Sequence, residues 1–377
     1  MNVSASKRMK PGSFAWLNVT QFFGALNDNV FQLLVVLFLA DLFSADADTE
    51  ATIMFAATAV FVAPFLLFSH AAGVLADRFS KRNIIVGAKV MEVVVMFGGV
   101  VAVYCSSPIF SHYVLYGMIF IMCTQSAVFG PSKYGIIPEL VPAEYLSRAN
   151  SFLVSFTYLS IILGTFLPAI VLDRMFPGNF LALACICAGV SFCGLAASLQ
   201  IGRTPAKGSR RPFTPWFVAD IFRTLLRIRS KRHLFLAVIG AAYFLSLGGF
   251  IKFNLIKYGQ EHLGLNREQA CYLFPVAAVG IGVGALMAGR LSKRTIEFGV
   301  VPIGAGGLTL ACLLFAFLPG GSVAGACMVS LLTGISCGLF IVPLNAFIQR
   351  YSPEARLGEI LACQNYHRFH GLGFANG

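Results

Sequence analysis

The chain has 377 residues, 57% of them hydrophobic and 12% charged, with a mean hydropathy of +0.78. No single soluble core hides that much apolar surface, so the bilayer is the solvent, and there only helices and closed barrels pair every backbone polar group. The apolar runs lack the alternation of barrel strands, and the net charge of +12 is spread in short Lys/Arg clusters between them, which excludes nucleic acid as a partner and makes the charge a topology signal.

In chain order, Lys7, Arg8 and Lys10 lead into an apolar run too long for the core of a cleavable signal peptide. Spanning helices are predicted at roughly 14–42, 51–75, 83–105, 109–130, 149–172, 178–200, 233–256, 268–289, 297–318 and 322–347. Placing the N-terminus in the cytoplasm puts twenty-two Lys and Arg on the inner side and only Arg174, Lys257 and Arg267 on the outer, where the first loop carries Asp46, Asp48 and Glu50. The ten cysteines lie almost all inside apolar runs without ligand spacing and read as small buried side chains, so neither metal nor cofactor is expected.

Several charges fall inside the predicted spans. Asp28 stands near the middle of the first, between Asn27 and Asn29. A carboxylate there costs about 2.5–3.5 kcal/mol on insertion scales, so it faces a cavity or a partner, either as a substrate or coupling group or as a polar tie between helices. In the third span, Lys89 and Glu92 are three apart on one helical face and can pair internally. Gln125, Lys133, Asn254 and Asn345 are further polar candidates, Lys252 reads as a snorkelling end residue, and Gly280, Gly284 and Gly289 permit close helix packing.

Residues 201–232 form the longest polar connection, in which Phe217, Ile221, Leu225 and Ile228 recur at helical spacing opposite Arg223 and Arg227. That pattern predicts a basic amphipathic helix lying on an anionic leaflet, the alternative being a solvated linker. It separates two repeats: Arg78-Phe79-Ser80-Lys81-Arg82 echoes Arg290-Leu291-Ser292-Lys293-Arg294, and Pro131 matches Pro343 at the same offset. The expected domains are 1–202, a six-helix half; 203–232, the basic linker; and 233–377, a second half that the repeat predicts to be incomplete, with about ten to eleven spans present. The terminal NYHRFHGLGFANG departs from its apolar first-half counterpart and supports that expectation.

The segment GVLADRFSKR from Gly73, with Asp77, Arg78, Lys81 and Arg82, resembles the loop between helices 2 and 3 of the major facilitator superfamily. Its Gly allows close helix approach, Asp77 accepts from helix N-termini or pairs with Arg, and the basic cluster holds the loop inside. The loop is expected to act as a clasp that opens and closes one end, against the alternative of plain anchoring. The first-span segment QFFGALNDNVF, the segment FGPSKYGIIPEL from Phe129, and Ser147-Arg148-Ala149-Asn150 resemble the bacterial lysophospholipid transporter family within that superfamily.

The resemblance implies an all-α integral membrane fold of two six-helix halves in the bacterial inner membrane. It also implies inward flipping of lysophospholipids, chiefly lysophosphatidylethanolamine, and an acyltransferase as partner, on another chain or in a further C-terminal part. Asp28, Asn27, Asn29, Lys89, Glu92 and Lys133 are the candidate substrate or coupling residues. A proton- or solute-coupled exporter of the same fold is the alternative, with a non-transporting sensor behind it. No acyltransferase box or phosphate-cradling Gly-rich loop is present, so the chain is not read as an enzyme.

Overall fold

The computed structural model describes residues 11–44, 46–206, 208, 217–265, 270, 272–292 and 296–362. The long apolar runs form helices because hydrocarbon offers their backbones no other partner. They are α1 (Pro11–Leu42), α2 (Ala47–Arg78), α3 (Lys81–Cys105), α4 (Pro108–Gly135), the short α5 (Ile137–Leu140), α6 (Leu146–Ala169), α7 (Phe180–Leu199), α8 (Phe217–Ile228), α9 (Arg232–Glu261), α10 (Leu273–Leu291), α11 (Val300–Phe317) and α12 (Val323–Tyr351). Among the described residues, nine helices are long and apolar enough to cross a membrane, and Arg232–Phe244 within α9 is a shorter apolar helix at the seventh expected span, 233–256. A further helical stretch occupies 357–362. The all-α membrane fold expected from the hydropathy is the one observed.

Helix ends follow local chemistry. Asp46 caps α2, accepting the amide of Thr49 at 2.9 Å, and hydrogen bonds from the Thr49 side chain and amide hold its carboxyl below the usual carboxylate range. Asn179 caps α7 in the same way through the amide of Ala182.

Helices α1, α3, α4, α6 and α7 pack on one another, with α2 against α4, around an apolar cluster that includes Phe31, Leu34, Val95, Ile119 and Leu183. Helices α9, α10 and α11 gather on α12. The tightest seam is α10 on α12, where a Cβ on Gly280 or Gly284 would run into the backbone at Leu331 or Ile335, and one on Gly334 or Gly338 into α10. The two groups meet chiefly through α6 against α10 and α12. Gly289 sits on Ser151 near one end of that contact, and Phe166 stacks on Tyr272 near the other.

The linker differs from its expectation. Helix α8 forms, but Leu225 and Ile228 are buried in the protein's own apolar cluster instead of facing lipid, because the ends of α2 and α9 offer them a packed surface. The side chains of Phe217 and Ile221 lie outside the described residues, as do residues 1–10, Lys293, Arg294, the side chain of Lys252, and 363–377.

Candidate functional site

Three helices bring a charged cluster together inside the first group. Lys89 and Glu92 of α3 form an ion pair at 2.5 Å and are 2% and 0% exposed. Asn27 of α1 donates to the other Glu92 oxygen at 3.1 Å. Room for the ammonium comes from Gly24, one turn before Asp28, whose missing Cβ would occupy the position of Lys89 Nζ. Burying two ions is costly, and the pair is tolerable because each charge has a close partner and Glu92 has a second hydrogen bond.

Asp28 lies beside this pair. Its Oδ2 accepts from the hydroxyl of Ser126 on α4 at 2.8 Å, and Gln125 donates to that hydroxyl at 3.1 Å. Its Oδ1 is buried and has no hydrogen-bond partner. Lys89, Glu92 and Lys133 are within electrostatic range of its carboxylate. The ring of Phe129 links the cations, with Lys89 Nζ at 5.3 Å and Lys133 Nζ at 5.7 Å from its centroid. The result is two acids and two bases in one group, in which Asp28 Oδ1 is buried and without a hydrogen-bond partner among the described residues.

The structure therefore unites Asn27, Asp28, Lys89, Glu92 and Lys133 but not Asn29. That side chain donates back to Ala25 O at 2.7 Å, and its Cβ packs where Gly164 of α6 leaves space. Neighbouring positions on a helix point about 100° apart, so three consecutive polar residues cannot all reach one site. Gly24, Ser126 and Phe129 were not singled out from sequence, since glycine, serine and phenylalanine in apolar helices carry no signal until the facing helix is known.

A second cluster closes one end of the molecule. Asp77, at the end of α2, accepts the amides of Gly358 and Glu359 at 2.7 and 3.0 Å, so it caps the helical stretch 357–362 across the interface between the two groups. Gly73, one turn earlier, lies so close to Gly358, Glu359 and Ala362 that a Cβ would meet backbone. Glu359 in turn accepts from the hydroxyl of Thr224 on α8. Asn150 and Gln349 exchange two side-chain hydrogen bonds of 2.6 and 3.1 Å, and Ser155 donates to Gly282 O at 2.9 Å.

The basic residues of the loop divide. Arg82 donates to Ile201 O and Leu199 O, tying α3 to the end of α7. Lys81 is 1% exposed and paired with Glu139 at 2.8 Å, a buried strut between α3 and α5. Arg78 stays exposed over the Phe79 ring and takes no part in the cap, so Asp77 uses a helix N-terminus and not an arginine. Beside Lys81 and Glu139 lies a cavity of about 490 Å³, whose wall is completed from the second group by Gln349, Arg350, Ser352, Glu354 and Leu357.

Residues 17–375 match the family model of the Major Facilitator Superfamily. The chain belongs to that superfamily. It is a multi-pass membrane transporter of small molecules of the bacterial inner-membrane type, not an enzyme. Among curated relatives, it is 30% identical over 354 residues to the lysophospholipid transporter LplT of Enterobacter sp. (strain 638), covering 92% of this chain and 82% of that one. It is 28% identical over 352 residues to the LplT of Klebsiella pneumoniae (strain 342), with the same coverage. Among solved structures, a bacterial homologue of the iron transporter ferroportin in its outward-facing state matches with a TM-score of 0.73 at 17% identity, covering 96% of this chain and 90% of that one. FucP in the outward conformation matches at 0.72 and 15%, with the same coverage. At these identities the structural likeness establishes the fold alone.

Proposed function

We propose that this transporter moves lysophospholipids, lysophosphatidylethanolamine foremost, across the membrane by alternating access. The observation that carries the reading is the four-charge cluster with one unpartnered carboxylate oxygen. An ammonium headgroup finds its counter-charge at Asp28 Oδ1, and the adjoining phosphate finds Lys133 on the far side of Phe129. Both Glu92 oxygens are engaged by Lys89 and Asn27, so Glu92 serves as the internal counter-charge and leaves Asp28 as the acid that meets substrate. The similarity to proteins named lysophospholipid transporters supports the choice of a lipid over a soluble metabolite.

In this reading the N-terminus is cytoplasmic, residues 1–202 and 233–377 are the two moving halves, and the Gly73–Arg82 loop is the cytoplasmic clasp. Asp77 on the 357–362 helix holds that side shut, and substrate enters from the other side or laterally. The delivered lysophospholipid is then the substrate of an acyltransferase, on another chain or in a further C-terminal part.

The test is uptake of labelled lysophosphatidylethanolamine into proteoliposomes containing the chain, alongside drug and sugar substrates. Lysolipid movement several-fold above empty vesicles is expected. Movement of a drug or metabolite with no lysolipid movement would establish the exporter instead.

A further inference from the structure

Helix α8 has two faces with different surroundings. Thr224, Leu225 and Ile228 are turned into the protein, where the Thr224 hydroxyl donates to Glu359 and the Glu359 amide is one of the two held by Asp77. The linker helix and the end of α2 therefore converge on one residue, Glu359.

The other side is cationic. Arg227 of α8, Arg229 and Lys231 of the connection after it and Arg232 at the start of α9 are all exposed, and Leu226 of α8 is 65% exposed beside them. No Asp or Glu occurs between Asp220 and Glu261, so the stretch carries no acid of its own to offset these charges. Only residues 229–231 separate α8 from the apolar start of α9, Arg232–Phe244. So short a tether keeps these charges beside the first apolar turns of α9, where charge attraction to a surface acts over about 10 Å at 0.1 M salt. An apolar side chain standing among cations is the pattern of a helix resting at the headgroup boundary.

We propose that this face binds the anionic phospholipid headgroups of the adjacent leaflet, and that their binding holds α8 against the closed end through Thr224 and Glu359. A surface that attracts the docked position of α8 favours, by linkage, the conformation in which Thr224 reaches Glu359. The membrane's charge thereby biases the clasp, whatever substrate is carried. Two sources of negative charge fit a basic face, a lipid surface and an acidic protein segment. The tether beside the apolar start of α9 and exposed Leu226 select the lipid.

The test is hydrogen exchange of the full chain in nanodiscs of phosphatidylcholine alone or with about 30% phosphatidylglycerol, a readout independent of transport. In the anionic discs, amides of 217–230 and 357–362 are expected to exchange at least about threefold more slowly. The R227Q/R229Q/K231Q variant loses both effects, whereas Thr224→Val keeps the slowing in α8 and loses it at 357–362. Added salt at about 0.5 M abolishes the difference in the unaltered chain, a control that needs no substitution. Equal exchange in the two lipids, or a difference that persists in the triple variant, overturns the proposal. Slowing by polyglutamate in neutral discs, without any effect of phosphatidylglycerol, overturns it in favour of an acidic protein partner.

Discussion

Asp77 Oδ1 and the amide nitrogen of Gly358 are separated by 281 positions in the chain and by 2.7 Å in space. With the second bond to Glu359, one carboxylate takes up two of the amides that open a helix, at the point where the two helix groups touch. Hydrogen bonds to a charged group contribute about 1.5–3 kcal/mol each when sheltered. Asp77→Asn keeps an acceptor but removes the charge and one of the two bonds. Exchange of the amides in 357–362 should rise about tenfold while helix content is unchanged. Unaltered exchange would place the hold on that end elsewhere, at the Asn150–Gln349 pair.

Asp28→Asn tests the unpartnered oxygen. The amide can still accept from Ser126 but has no charge for an ammonium, so lysophosphatidylethanolamine uptake at matched protein abundance should fall about tenfold or more, with thermal stability within about 1 kcal/mol of the parent. Uptake equal to the parent would remove Asp28 from the substrate path.

Lys89 and Glu92 should behave as a unit. Lys89→Met leaves a buried carboxylate without its cation and should cost about 3–5 kcal/mol in stability, read from thermal unfolding in detergent. The Lys89→Met/Glu92→Gln double variant should recover most of that loss, since Gln retains a contact with Asn27 and no bare charge remains. Additive losses would show that the two residues do not depend on each other.

Gly24 supplies the space for the Lys89 ammonium, so Gly24→Ala should push it off Glu92 and cost about 1–3 kcal/mol. In the Lys89→Met background the same substitution should be close to neutral. An equal cost in both backgrounds would mean that the glycine serves helix packing alone.

Orientation is open to direct labelling. In a cysteine-free background, Leu226→Cys should react with an impermeant maleimide only from the cytoplasm, and Lys257→Cys only from outside. Both sites are strongly exposed. The reverse pattern would invert the topology and place the clasp on the outer side.

Hydropathy and charge were enough to read the helices, because hydrocarbon admits only helices and closed barrels and the apolar runs lack the alternation of barrel strands. The Lys89–Glu92 pair was equally legible, since a spacing of three on one helix fixes a shared face. Contacts that depend on a second helix were not. Nothing in the residues around Asp77 names Gly358, and nothing in the α4 sequence marks Ser126 as the partner of Asp28 or Phe129 as the ring between two cations. Asn29 was grouped with Asp28 by adjacency, which helical geometry overrules. In α8 the amphipathic period was visible, but an apolar stripe does not say whether lipid or protein will cover it, and at Leu225 and Ile228 protein does.

The clasp has a lopsided tolerance to change. On one side stands a single carboxylate; on the other are main-chain amides, which every residue except proline possesses. Substitution at Glu359 can delete its bond to Thr224 but leaves the bond from its amide to Asp77 in place. At Gly358 the constraint is space, because a Cβ would meet Gly73 O, Ala76 and Asp77. Drift across this contact is therefore permitted wherever it respects three conditions, an acid at 77 and empty positions at 73 and 358.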